Sequence, residues 1–194
     1  MKLNLKPEEL KKLSSLIKLE EDSLCYTLGY AINLETGELL DLLTENKIPE
    51  ALETQIISII LSHFAKAEIM PKSGKLIKYG DLPGGHAYER AYMQRAIEPI
   101  TEAFGDRPST ELIEAAKLLN GVVLDFGDVA VEIPALQGIP LLYVLWLKEE
   151  FPASLTVLYD ESASRYLPTE DLAVLTELTS SRLIKAKAKL IRNK

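Results

Sequence analysis

The sequence predicts an α+β fold: a small antiparallel sheet, made of a meander of about three strands plus an N-terminal hairpin, packed with about five helices. Three observations carry this prediction. Apolar residues recur at the 3.6-residue spacing of a helix in five segments, and near residue 129 the period changes to the two-residue spacing of a strand. The strand-like runs are joined by connections too short for a helical crossover, so neighbours pair antiparallel. The chain of 194 residues is 47% hydrophobic and 26% charged, enough to bury a core without staples and too ordinary for long disorder. With no internal repeat or linker, residues 1–194 read as one domain.

The elements follow in chain order. Pro7 with Glu8 and Glu9 starts a helix, since proline fits the first helical position and acids suit the positive dipole end; Leu10, Leu13 and Ile17 form its apolar face. The β-rich run from Cys25 to Leu40 contains the turn Glu35-Thr36-Gly37-Glu38 and predicts a hairpin. Pro49 opens a second helix with the stripe Leu52, Ile56, Ile59, Ile60 and Phe64. The loop 70–85 carries a short strand at Leu76–Tyr79 and leads into a third helix, which Pro99 kinks or restarts and which Ile97, Ile100 and Phe104 continue. After the turn Gly105-Asp106-Arg107-Pro108, Ser109 caps a helix that runs through Leu119 and is ended by Asn120-Gly121. Val129, Val131 and Ile133 then alternate with polar or small residues, "PLLYVLWLK" is apolar on both faces, and "LTVLYD" gives a third run. A long helix, from about Thr169 to Ile191, closes the pattern.

The net charge of -7 is unevenly placed. Arg182, Lys185, Lys187, Lys189, Arg192 and Lys194 all follow the last acid, Glu177, so residues 1–181 hold 16 basic against 29 acidic groups, or -13. An acidic body disfavours nucleic acid as the ligand, and the basic tail reads as a solvated helix end whose cations complement the dipole. The runs "IISIIL" and "IPLLYVLWL" fall short of the ~20 residues of a membrane span, and the N-terminal stretch lacks a signal peptide's apolar core. The lone Cys25 excludes an internal disulfide framework and a cysteine-ligated iron-sulfur cluster within this chain, and predicts a reducing, cytoplasmic setting.

The candidate site is "LPGGHAYERAYMQRA", residues 82–96. Glycines before a helix let a ligand approach amides that have no intrahelical partner, and the dipole draws anions there. His86 and Arg90, four apart, share a face, so Gly84, Gly85, His86 and Arg90 are the expected contacts to a phosphate or carboxylate. The plainer alternative is a tight turn, with Tyr88 and Tyr92 packing on the core. A phosphate loop proper is absent at Gly74-Lys75, as is a Gly-x-Ser-x-Gly elbow; Cys25 reads as an inert core thiol, His63 as a core or boundary histidine, and no metal site is predicted.

Carboxylates gather at Glu149-Glu150, Asp160-Glu161 and Glu170-Asp171, each at an element end where an acid also has structural uses. The leading reading is a non-catalytic binding domain for a small anionic ligand or a protein partner, with cofactor unknown. One alternative is a metal-assisted hydrolase in which His86 works with Asp160, Glu170 or Asp171. Another is an assembly subunit anchored by Tyr143, Trp146 and Phe151.

Taken together, "LPGGHAYERAY", "RAIEP", "FGD" at 104–106, "GDVAVEIPAL", "IPLLYVLW" and "EEFPASLTVLYDESASRYLPTEDL" resemble family 3786 of the domains of unknown function, most specifically over residues 146–171. The resemblance covers most of the chain and implies a setting among anaerobic bacteria and archaea, beside redox or corrinoid metabolism, without implying a particular reaction. Some relatives look to carry an N-terminal iron-sulfur module with clustered cysteines. This chain departs from them in having Cys25 alone, so cluster binding does not carry over.

Overall fold

A computed structural model describes residues 1–20, 23–148 and 150–192 and shows a mixed α+β architecture with two antiparallel sheets. Helix α1 (Pro7–Leu16) starts at its proline, with Glu9 accepting the Lys6 N–H at 2.7 Å. Strands β1 (Leu24–Thr27), β2 (Tyr30–Asn33) and β3 (Leu39–Asp41) form the smaller sheet in chain order. One hairpin is predicted here, and there are two. Leu28 and Gly29, at φ 50° and 73°, close β1 onto β2 in a tight turn that needs positive φ at both central residues. Leucine is no signal for such a turn. Its geometry is held instead from the far end of the chain, where the Arg182 guanidinium donates to the Leu28 and Gly29 carbonyls at 2.8 and 3.2 Å.

Helix α2 (Ala51–Phe64) is rotated from the face its hydrophobic stripe predicts. Ile57, Ile60, Leu61 and Phe64 are buried with Glu53 and Ser58, while Leu52 and Ile59 are 66% and 54% exposed. The inward residue that turns the helix is Glu53, which accepts from the Tyr30 hydroxyl at 2.7 Å and from Lys185 Nζ at 2.6 Å. Beyond β4 (Leu76–Lys78), helix α3 (Gly85–Tyr92), a π-helical turn (Met93–Ile97) and α4 (Glu98–Phe104) form one continuous rod. Pro99 lies in the first turn of α4, directly after the π-helical turn. Helix α5 (Ser109–Lys117) follows.

Strands β5 (Val122–Leu124), β6 (Val129–Leu136), β7 (Ile139–Trp146) and β8 (Ser154–Asp160) complete the larger sheet, in the order β4-β8-β7-β6-β5 with every pair antiparallel. The predicted meander is β6-β7-β8; three residues of β5 are too few to show a period. One face of this sheet joins the main core through Val131, Ile133, Leu141, Tyr143, Val157 and Tyr159. The opposite face carries a second, small cluster of Ala130, Leu142 and Val144, flanked by Leu124 and Leu158.

The closing helix α6 (Thr169–Arg192) contacts α2, α3, α4 and α5. Its basic residues correct the solvated-tail expectation. Arg182 is fully buried and grips Asp41, Lys185 bonds Glu50 and Glu53, Lys187 pairs with Glu111 at 2.8 Å, and Lys189 donates to the Leu42 carbonyl at 2.7 Å. Cations spaced along a helix that crosses an acidic body find carboxylates and carbonyls within reach, so they pin the fold. Lys194 lies outside the described residues.

A candidate ligand site between the two sheets

A cleft of 1220 Å³ separates the two sheets. One wall is the edge strand β1, all four of whose residues face it, with Ile17 and Lys18 just after α1. The other wall is the end of the β6-β7 hairpin, including Glu132, Pro134, Leu136 and the turn Gln137-Gly138. Lys72, Asn120 and Lys189 complete the rim.

Local chemistry explains why the walls stand apart yet stay joined. The pairing of β6 with β7 slips between Pro134 and Leu136, a bulge around Ala135. A bulged residue drops out of the ladder, and the Thr27 hydroxyl bonds the Ala135 carbonyl at 2.7 Å, stitching β1 to β6 at one end of the cleft. Lining residues Gly29, Asn120 and Gly138 all have positive φ, between 59° and 78°. Such backbone persists where the surroundings over-determine it. At Gly138 the cause is contact: a Cβ there would lie 2.8 Å from the Tyr166 ring and hydroxyl.

The charges that line the cleft are Lys18, Lys72 and Lys189 against Glu20 and Glu132. Lys189 is committed to Leu42, and Lys72 stands 3.8 Å from Glu132. Lys72 follows from the anchoring of its loop by Asp160, whose carboxylate accepts from the Ser73 N–H and hydroxyl and the Gly74 N–H at 2.8 to 3.0 Å. Burial opposes ionisation of Asp160, yet these bonds and two from Ser162 hold its carboxyl well below the usual range. Cys25 also lines the cleft; burial pushes its thiol up to about 11, so it is neither thiolate nor nucleophile near neutrality.

The stretch 82–96 turns at residues 82–84 and continues as α3 and the π-helical turn. Gly84, at φ 76°, caps α3; the Gly85 N–H donates to the Leu82 carbonyl at 2.9 Å, and Gly85 is buried because its Cα presses on the Tyr79 carbonyl, which a Cβ would approach to 2.0 Å. That amide is not free for an anion. The His86 side chain, 92% exposed, sits 3.3 Å from Glu89, and none of Gly84, Gly85, His86 and Arg90 lines the cleft. Tyr92 is buried and stacked on Tyr79, whereas Tyr88 is exposed.

The carboxylates are likewise engaged apart from one another. Asp160 anchors the Ser73-Gly74 loop, and Asp171 accepts from His63 Nδ1 at 2.5 Å, joining the end of α2 to the start of α6. His63, read as a core or boundary residue, is thus the histidine that meets an acid, a pairing that a separation of 108 residues hides from local pattern. Glu170 is exposed near the Tyr79 hydroxyl, Glu150 is exposed, and Glu149 lies outside the described residues. Among the described residues no cluster of three or more His, Cys, Asp or Glu is placed to hold a metal, and no helix is long and apolar enough to cross a membrane.

Neither a curated protein nor a solved structure matches the chain. A family model matches residues 29–182, a span that opens at the Gly29 carbonyl and closes at the guanidinium bonded to it, and that leaves α1 and β1, one wall of the cleft, outside. The chain belongs to the family described as a domain of unknown function, DUF3786.

Proposed function

We propose that this protein is a non-catalytic binding domain and that the cleft between its sheets takes a small anionic ligand. The observation that supports this reading is the cleft itself: 1220 Å³ with an apolar lining from Leu24, Leu118 and Leu136, and with the exposed Lys18 and loosely paired Lys72 on its rim. Sites for small molecules are concave, mostly apolar and fitted with a few polar groups that orient the ligand. The glycine corner is the weaker location, since its Gly85 amide is already bonded. The hydrolase alternative is weaker too, because Asp160 and Asp171 serve structural partners. A buried, unpaired Cys25 supports a reducing, cytoplasmic compartment, and the resemblance to anaerobes' proteins supports a ligand from anaerobic metabolism.

Isothermal titration with inorganic phosphate, pyrophosphate, citrate and adenine nucleotides tests the proposal. Lys18→Ala combined with Lys72→Ala is expected to weaken the tightest binder about tenfold or more, roughly 1.4 kcal/mol, with Arg90→Ala unchanged. Loss on Arg90→Ala alone would move the site to α3. Absence of heat with every compound would reject an anionic ligand of this panel.

A further inference from the structure

We propose that the end of the larger sheet bearing Trp146 and Phe151 docks a cationic, apolar-anchored segment of another protein. Trp146 ends β7, and Phe151 lies in the connection to β8; with Leu147 and Pro152 they line a groove of 620 Å³. The two rings are 42% and 78% exposed. Phe126, in the loop after the edge strand β5, is exposed as well. Proximity is set by Gly127, where a Cβ would lie 3.4 Å from the Trp146 ring. Single exposed apolar residues are commonplace, but a groove lined by two exposed aromatic rings with Leu147 and Pro152 marks an interaction surface. Tyr143, by contrast, is buried against Thr176 and Ser180 and takes no part.

Charge decides the occupant. Asp128 and Glu150 line the groove, and Lys148, beside it in the chain, is tied to Asp106 at 3.4 Å. A second copy docking by two-fold symmetry would set these acidic rims against each other, and like charges across an interface are strongly disfavoured. A partner offering lysine or arginine around an aliphatic or aromatic anchor meets both the rim and the rings.

Trp146 is the only tryptophan of the chain, so its fluorescence reports on this groove directly. The probe is a synthetic peptide of alternating leucine and lysine, with leucine/glutamate and serine/lysine peptides of equal length beside it. The leucine/lysine peptide is expected to shift Trp146 emission to the blue, saturably and more weakly in high salt, while the other two leave it unmoved. Asp128→Lys with Glu150→Lys, and separately Phe151→Ala, are each expected to weaken that binding about tenfold. All are exposed positions, and an unchanged thermal melt certifies the fold of each variant. No shift with the leucine/lysine peptide, an equal response to the glutamate peptide, or affinity indifferent to both variants overturns the proposal. Self-association in sedimentation that Phe151→Ala abolishes would overturn it in favour of a second copy. Binding of anions in the inter-sheet cleft is untouched by any of these outcomes.

Discussion

Asp41 and Asp160 are both buried carboxylates, and their surroundings differ in kind. Asp41 meets a full cation: Arg182 bonds it through both terminal nitrogens, at 2.8 and 2.5 Å, and the Leu43 N–H adds a third bond. Asp160 meets five neutral donors, three from Ser73-Gly74 and two from Ser162. In each case burial alone would raise the carboxyl, and the donors outweigh it, so both are held below the ordinary value. The mechanical results diverge. The ion pair joins segments 141 residues apart and, through the same guanidinium, fixes the Leu28-Gly29 turn beneath β1. The neutral set shapes one loop locally and so presents Lys72. A charge locks distant elements; amides and hydroxyls mould backbone.

That contrast is broken hardest at Arg182. Arg182→Met leaves the Asp41 carboxylate buried without its cation, removes the donor to two turn carbonyls and strips the cation from above the Tyr30 ring, where it stands 3.9 Å from the centroid. A stability loss of about 3–5 kcal/mol in urea unfolding is expected for a buried pair broken on one side. Adding Asp41→Leu sharpens the test. Replacing both partners by apolar groups is often neutral, so the double variant should recover much of the loss, and failure to recover would assign the damage to the Leu28 and Gly29 carbonyls instead.

Asp160→Ala ranks next, at about 1–3 kcal/mol, because Ser73, Gly74 and Ser162 lose an acceptor but no buried charge is left unpaired. Anion affinity in the cleft should fall with it as Lys72 loses its backing. The sign of its pH dependence follows from the direction of the shift. Folding depresses the Asp160 carboxyl, so its stabilisation is fully present above about pH 5, above the unfolded value near 3.9, and is lost as pH falls through the folded value. Acid unfolding of Asp160→Ala should therefore be shallower than that of the parent chain, and equal slopes would count against the assignment. Asp41 acts in the same sense and leaves a residual slope.

The sequence makes the large-scale pattern legible because period and turn chemistry are local. Pro7, Pro99, Gly121 and the 129–160 alternation mark elements that exist at those places. What it hides are decisions taken by long-range partners. Leu28 adopts a left-handed turn because Arg182 requires its carbonyl, and α2 turns Glu53 inward because Tyr30 and Lys185 await it. The basic run after Glu177 looks like a solvated end for the same reason: its acids lie up to 141 residues away. At the site, the Gly84-Gly85 pair is silent on whether the amide is free. Gly85 proves to be glycine for want of room beside Tyr79. The cleft had no sequence signature at all, being assembled from two sheets, a bulge carbonyl and a lysine on an anchored loop.

The smallest expected effects separate two tyrosines that composition cannot distinguish. The Tyr166 hydroxyl accepts the Met70 N–H at 2.9 Å and donates to the Met70 carbonyl, while its ring lies against Gly138 in the cleft wall. Tyr166→Phe removes a donor and an acceptor from a part-buried backbone, and a loss of about 1 kcal/mol is expected. The Tyr79 hydroxyl is buried and meets no hydrogen-bonding partner among the described residues, its ring being stacked on Tyr92 at 4.1 Å. Tyr79→Phe keeps that stacking and deletes an unsatisfied polar atom, so the melting temperature should hold or rise slightly, by no more than about 1 kcal/mol of stability. A clear loss on Tyr79→Phe would show that this hydroxyl has a partner, and would turn attention to Glu170, whose charge adds to burial in raising the phenol.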